Sequence, residues 1–121
     1  MTNVPTARRF NTAVWTGNEM IVWGGYDGTS YLNTGGRYNQ ALTVGQHTNT
    51  ADAPTGRLGH TAVWNDSDII IWGGQASTDP PTITFNTGGQ YNPSTDSWTA
   101  TSLTGALRHD HFTRRYGPVT K

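Results

Sequence analysis

The chain has 121 residues, room for one domain or part of one, and carries 8 basic against 8 acidic side chains, so its formal net charge is zero. That balance excludes a global field steering it toward nucleic acid or anionic lipid, and the absence of cysteine excludes disulfides, zinc–thiolate centres and a thiol nucleophile. Five Trp, five Tyr and three Phe beside only 13% charged residues supply apolar surface to bury, and abundant Thr, Gly and Asn favour strands and turns over helices.

In chain order, "MTNVPTARRF" lacks an apolar h-region, so no signal peptide is expected there, and the lack of Cys leaves the compartment open. Strand A is predicted at "TAVW" (Thr12–Trp15), followed by the turn "TGNE". Strand B is "MIVW" (Met20–Trp23), an unbroken apolar run that implies burial on both faces and is far too short to span a membrane. Gly24 and Gly25 end it, as a glycine pair that permits positive φ. After a loop over 26–32 comes strand C, "GGRYN" (35–39), and then a weak strand D. The pattern restarts at "PTGRLGHTAVW": A at Thr61–Trp64, turn "NDSD", B at Ile69–Trp72, Gly73-Gly74, a loop over 75–85, C at "GGQYN" (88–92) and D at "DSWTA" (96–100).

The two halves are therefore copies. The offset is 49 from Pro5/Pro54 through Trp23/Trp72, and 53 from Asn33/Asn86 through Asn39/Asn92. Four residues have been gained between the WGG and NTGG motifs, which marks that connection as a loop. The first copy is worn: Asn11 stands where His60 stands, Gln40 replaces Pro93, and Gly45 replaces Trp98, which should weaken its strand D. A third copy begins at Arg108-His109-Asp110-His111 and then departs from the pattern.

A period near 50 with four strands and a Gly-Gly pair per unit, spelled "WGG", "NTGG.YN" and "PT.R…TAVW", resembles the kelch family over residues 5–101, in particular its bacterial forms. The resemblance implies an all-β chain of kelch-type β-propeller blades, each a four-stranded antiparallel sheet: one blade over 5–52, a second over 53–102, and a truncated third repeat, closing strand or tail over 103–121. Propellers close with about four to eight blades. Two leave outer faces bare, so the chain is expected to be a partial propeller: an excerpt of a longer one, or a protomer completing a ring from three or four copies, with the third-repeat stub lending a strand to its neighbour. A secreted or periplasmic bacterial setting follows from family style alone.

Strand parity places the B–C and D–A loops on one face, where ligand contacts are expected. The candidate ligand-binding residues are Tyr26, Asp27 and Tyr31 of the first B–C loop, Asp79 and Phe85 of the second, and Arg57. Exposed Tyr with Asp suits a protein or glycan ligand; the plain alternative is an ordinary surface loop. Arg57-x-x-His60, echoed by Arg108-x-x-His111, is better read as hydrogen-bonded blade support than as an acid/base pair. His109 and His111 alternate and would share one strand face, but two ligands do not close a metal site. Arg114, Arg115 and Lys121 read as a solvated basic end, and Asn65-Asp66-Ser67 as a turn despite fitting a glycosylation sequon. The single glutamate, Glu19, falls in a turn, and no paired carboxylates stand out.

The expected function is a non-catalytic binding or scaffold module, with no cofactor, no metal and neither nucleic acid nor membrane as partner. The alternative is part of a kelch-type propeller enzyme acting on sugars, with catalytic residues on other blades or subunits; a cofactor built on a Cys-linked Tyr is excluded because there is no Cys.

Overall fold

The computed structural model describes residues 4–39, 41, 45–77 and 80–101. Two four-stranded antiparallel sheets follow each other along the chain, and the described residues contain no helix. The first is β1 (Thr12–Trp15), β2 (Met20–Trp23), β3 (Gly35–Tyr38) and β4 (Gln46–His47); the second is β5 (Thr61–Trp64), β6 (Ile69–Trp72), β7 (Gly88–Asn92) and β8 (Ser97–Ala100). Each runs as a simple meander with every strand beside its sequence neighbour. The expected third-repeat stub, with His109 and His111, lies outside the described residues.

Turn chemistry sets the strand ends. Thr16 N–H donates to Glu19 O at 3.0 Å, and Glu19 N–H donates to the Thr16 hydroxyl at 3.3 Å, with Gly17 at φ 109°. In the second sheet Asn65 Oδ1 accepts from Ser67 and Asp68 N–H at 3.0 and 2.8 Å. This is the side-chain mimicry of a turn that Asn offers. Residues 65–67 thus close β5 to β6 as the turn their composition implies. Strand D of the second sheet begins at Ser97, one residue later than expected, because Asp96 sits at φ 52°, outside extended backbone.

The apolar B strands are buried on both faces: Ile21, Val22 and Trp23 in β2, and Ile69, Ile70 and Ile71 in β6. Neighbours across the strands share a face, because side chains alternate. Cross-strand register puts Thr12 with Trp23 and Val14 with Ile21 on one face of the first sheet; Ala13 with Val22 and Trp15 with Met20 occupy the other. The second sheet repeats this: Thr61, Val63, Ile70 and Trp72 on one face, Ala62, Trp64, Ile69, Ile71 and Tyr91 on the other.

The sheets pack face to face in one sense only. Val14, Ile21 and Trp23 of the first meet Ala62, Trp64, Ile69, Ile71, Tyr91 and Trp98 of the second in a single cluster. Trp98 is its hinge, 5.3 Å from Trp23 and 5.0 Å from Tyr91 ring to ring, with its indole N–H donating to Asn49 O at 2.8 Å. A void lined by Val14, Ile21, Trp23, Ile69, Ile71, Tyr91 and Trp98 measures about 10 Å³, at the lower limit for one water, so the apolar contact there is close-packed. Arg37 of β3 adds a bidentate pair to Glu19 at 3.2 and 3.1 Å. The lone glutamate therefore does more than occupy a turn.

The worn first copy shows where wear was expected. β3 and β4 share two paired positions, Gly36↔His47 and Arg37↔Gln46, whereas β7 and β8 share four. At the next rung Trp98 sits opposite Tyr91, but Gly45 occupies that place opposite Tyr38 and offers no side chain to pack.

Candidate functional site

The connections β2–β3 and β6–β7, together with the segments entering β1 and β5, lie on one face, as strand parity requires. They are continuous with the sheets. Arg9 bridges Tyr26, and Tyr26 bridges Tyr31; in the second sheet Leu58 bridges Gln75, and Gln75 bridges Thr84. Each loop is thus a miniature extension of its sheet. Gly25 makes this possible at φ 101°: a Cβ there would lie 2.7 Å from Arg9 O.

Within the first loop the tyrosine rings stack with centroids 4.8 Å apart and planes tilted by 34°. The Arg9 guanidinium lies over the Tyr26 ring, 5.5 Å from its centroid. Arg9 is exposed, and the two tyrosines are half-buried. Asp27 sits at the tip, one carboxylate oxygen accepting from Thr29 and Ser30 N–H at 2.9 and 2.7 Å. Those backbone donors hold its carboxyl below the usual range, so it is a fixed negative charge at the rim. Ala7, Arg8, Arg9, Tyr26, Asp27 and Gly28 line an open concavity of about 270 Å³. Cation, stacked rings and anion therefore share one patch about a loop wide.

Arg57 and Phe85 also meet, but elsewhere and for another purpose. Arg57 is 1% exposed, with its guanidinium 4.1 Å from the Phe85 ring centroid. It donates to Thr55 O (2.9 Å), Gly73 O (2.9 Å), Thr87 O (2.7 Å) and the Thr87 hydroxyl (3.1 Å). Every N–H direction used is committed to backbone or to one threonine, tying the segment before β5 to the end of β6 and the start of β7. Burial pulls the group down to about 10, which leaves it cationic at neutral pH. Arg8 repeats the clamp 49 positions earlier, donating to Thr6 O, Gly24 O and Thr34 O. Arg57, one of the candidate ligand-binding residues of the sequence, is thus buried and hydrogen-bonded within the second sheet. Asp79 lies outside the described residues.

His60, its motif partner, is 6% exposed. Its Nε2 lies 2.9 Å from the Thr12 hydroxyl and its ring stands edge-on to Trp23 at 5.0 Å. It fills the space that Gly24 leaves: a Cβ on Gly24 would come to 2.5 Å from the imidazole. Desolvation, reinforced by the Arg57 charge, lowers it to about 4, so the ring is neutral at physiological pH. It is a wedge between the sheets. Among the described residues, no three His, Asp or Glu side chains gather at metal-binding reach.

Arg9 is the member of the patch that sequence reasoning missed. The 49-residue offset pairs it with Leu58, which is 7% exposed at the matching bridge. A charged residue opposite a buried leucine in an otherwise matched repeat was the available signal.

These features define an all-β chain of two repeated four-stranded antiparallel sheets with a shared loop face. No protein-family model matches the chain, and no curated protein matches it.

Proposed function

We propose that the chain is a pair of kelch-type β-propeller blades that binds a protein or glycan through its loop face, its ring being completed by further blades, from other copies or from a longer chain. One observation carries the binding reading. At equivalent bridges the second sheet has Leu58, Gln75 and Thr84, while the first has Arg9, Tyr26 and Tyr31 in a stacked, solvent-accessible array. Arg and Tyr are the residue types that dominate binding hot spots, and stacked rings present area at little entropic cost. The sheets beneath them are the rigid support on which loop recognition depends. The blade reading is supported by the repeated meander and by the way one face of the first sheet covers the opposite face of the second.

The test is a glycan array and a peptide array probed with the chain and with Tyr26→Ala and Arg9→Ala. A ligand retained by wild type, and weakened tenfold or more in both variants, supports the patch as the site. A ligand bound equally by all three places recognition elsewhere on the molecule.

A further inference from the structure

Phe10 holds a backbone conformation that its side chain disfavours. Among the described residues four non-glycines have positive φ: Phe10 at 60°, Asp52, Asp66 and Asp96. Asp visits this left-handed region more readily, because its short polar side chain can bond locally; a bulky aromatic there is an outlier. The matched position 49 residues on is Gly59, at φ 69°, so the path of the chain calls for a glycine conformation at this point. Backbone bonds pin that path. Gly59 N–H donates to Phe10 O at 3.1 Å, and Arg9 and Tyr26 exchange bonds at 3.0 and 2.9 Å. Phe10 therefore carries strain that the second copy avoids.

Burial does not offset the strain, since Phe10 is 61% exposed. A Cβ built on Gly59 meets no heavy atom within 4 Å, so the matched position opens outward in the second copy too. Phe10 follows Arg9 directly, which puts their Cα atoms about 3.8 Å apart. It is thus the next residue along from the concavity that Arg9, Tyr26 and Asp27 line. Arg9 is exposed and makes no ion pair among the described residues, so its charge is open to a ligand. Asp27, the anion at the rim, lies in the field of Arg8.

We infer that Phe10 is a binding residue of the loop-face site, and that the ligand is a protein segment presenting a large apolar side chain beside a carboxylate. This rests on the binding reading of that face given above and adds the residue that sets the ligand class. The Arg9 fork takes the carboxylate. The apolar side chain covers Phe10, whose phenyl ring has no donor or acceptor with which to read sugar hydroxyls; only apolar burial makes use of its exposed area. Strain held at such a place keeps the ring where a partner meets it.

Stability and binding should then part company. Phe10→Gly gives the first copy the residue of the second, so its urea midpoint is expected at or above that of wild type. Phe10→Ala keeps the strain and removes the ring. The probe is an array of N-acetylated octapeptide amides with a central Trp-Glu pair and varied flanks. Trp-Gln and Ala-Glu sets serve as controls, with a glycan array alongside. Wild type should retain members of the Trp-Glu set and bind their controls tenfold or more weakly; both Phe10 variants should lose tenfold or more on the same peptides. Phe10 variants that bind as wild type does, while Tyr26→Ala does not, leave the loop-face site standing and overturn the role of Phe10. Retention of glycans but of no peptide overturns the ligand class. A lowered midpoint for Phe10→Gly assigns the ring to the fold and overturns it as a ligand contact. No retention on either array overturns the loop-face site along with it.

Discussion

Arg57 and Arg8 make the same bonds from different depths. Arg57 is 1% exposed and Arg8 only half-buried. A lysine would keep the charge but could not span Thr55 O, Gly73 O and Thr87 O at once, since its single head lacks the planar fork. Arg57→Lys should therefore cost about 2–4 kcal/mol, for the buried carbonyls left without donors, while Arg8→Lys costs about 1. Urea midpoints of the two variants check the order; equal losses would mean that burial does not set the strength of the clamp. His60 makes a pH prediction. Its folded value near 4 lies below the ordinary 6.5, so between those values the unfolded chain binds the proton and the folded chain does not. Stability from this group is complete above pH 6.5, falls as pH drops toward 4, and is constant below. The gap corresponds to roughly 3 kcal/mol. Asn occupies the matching position in the first copy, at Asn11, so His60→Asn is the natural control. Between pH 7.5 and 4.5 the wild type should lose about this much more stability than the variant; parallel losses would assign the acid sensitivity to carboxylates instead.

At the scale of elements, β4 and β8 are a natural experiment in one chain. β8 has Trp98 locking Tyr91 and Trp23, and β4 has Gly45 in that position. Trp98→Gly should cost roughly 3–5 kcal/mol, since it removes a whole aromatic side chain from the close-packed contact. In hydrogen exchange, the amides of Gln46 and His47 should exchange well before those of Thr99 and Ala100; similar protection in both strands would show that the tryptophan is not what holds the fourth strand. The strands themselves were readable because short apolar runs, Gly-Gly stops and Asn- or Gly-rich turns each appear twice, so every assignment had a second copy to check it. The weak β4 was readable from Gly45 for the same reason. The site was readable in part. Tyr26, Asp27 and Tyr31 are near neighbours in sequence and come together through one loop. The Arg57–Phe85 stack joins residues 28 apart through a backbone clamp, which no local pattern announces. Arg9 reaches Tyr26 through main-chain pairing, and main-chain hydrogen bonds leave no side-chain signature.

For the whole molecule, a consequence lies in the loop between the second and third strands of each sheet. Leu32 N–H donates to Gly25 O, and Asp27 N–H to Ser30 O; Phe85 to Gly74 and Ala76 to Ile83 repeat both bonds. The inner rungs are thus the same, and the second copy's four additional residues fall in sequence between Ala76 and Ile83. The molecule has already accepted an insertion there without moving a strand. That makes the bond between Gly28 and Thr29 a graft point, where a foreign epitope spliced into the chain would be displayed from a stiff stem.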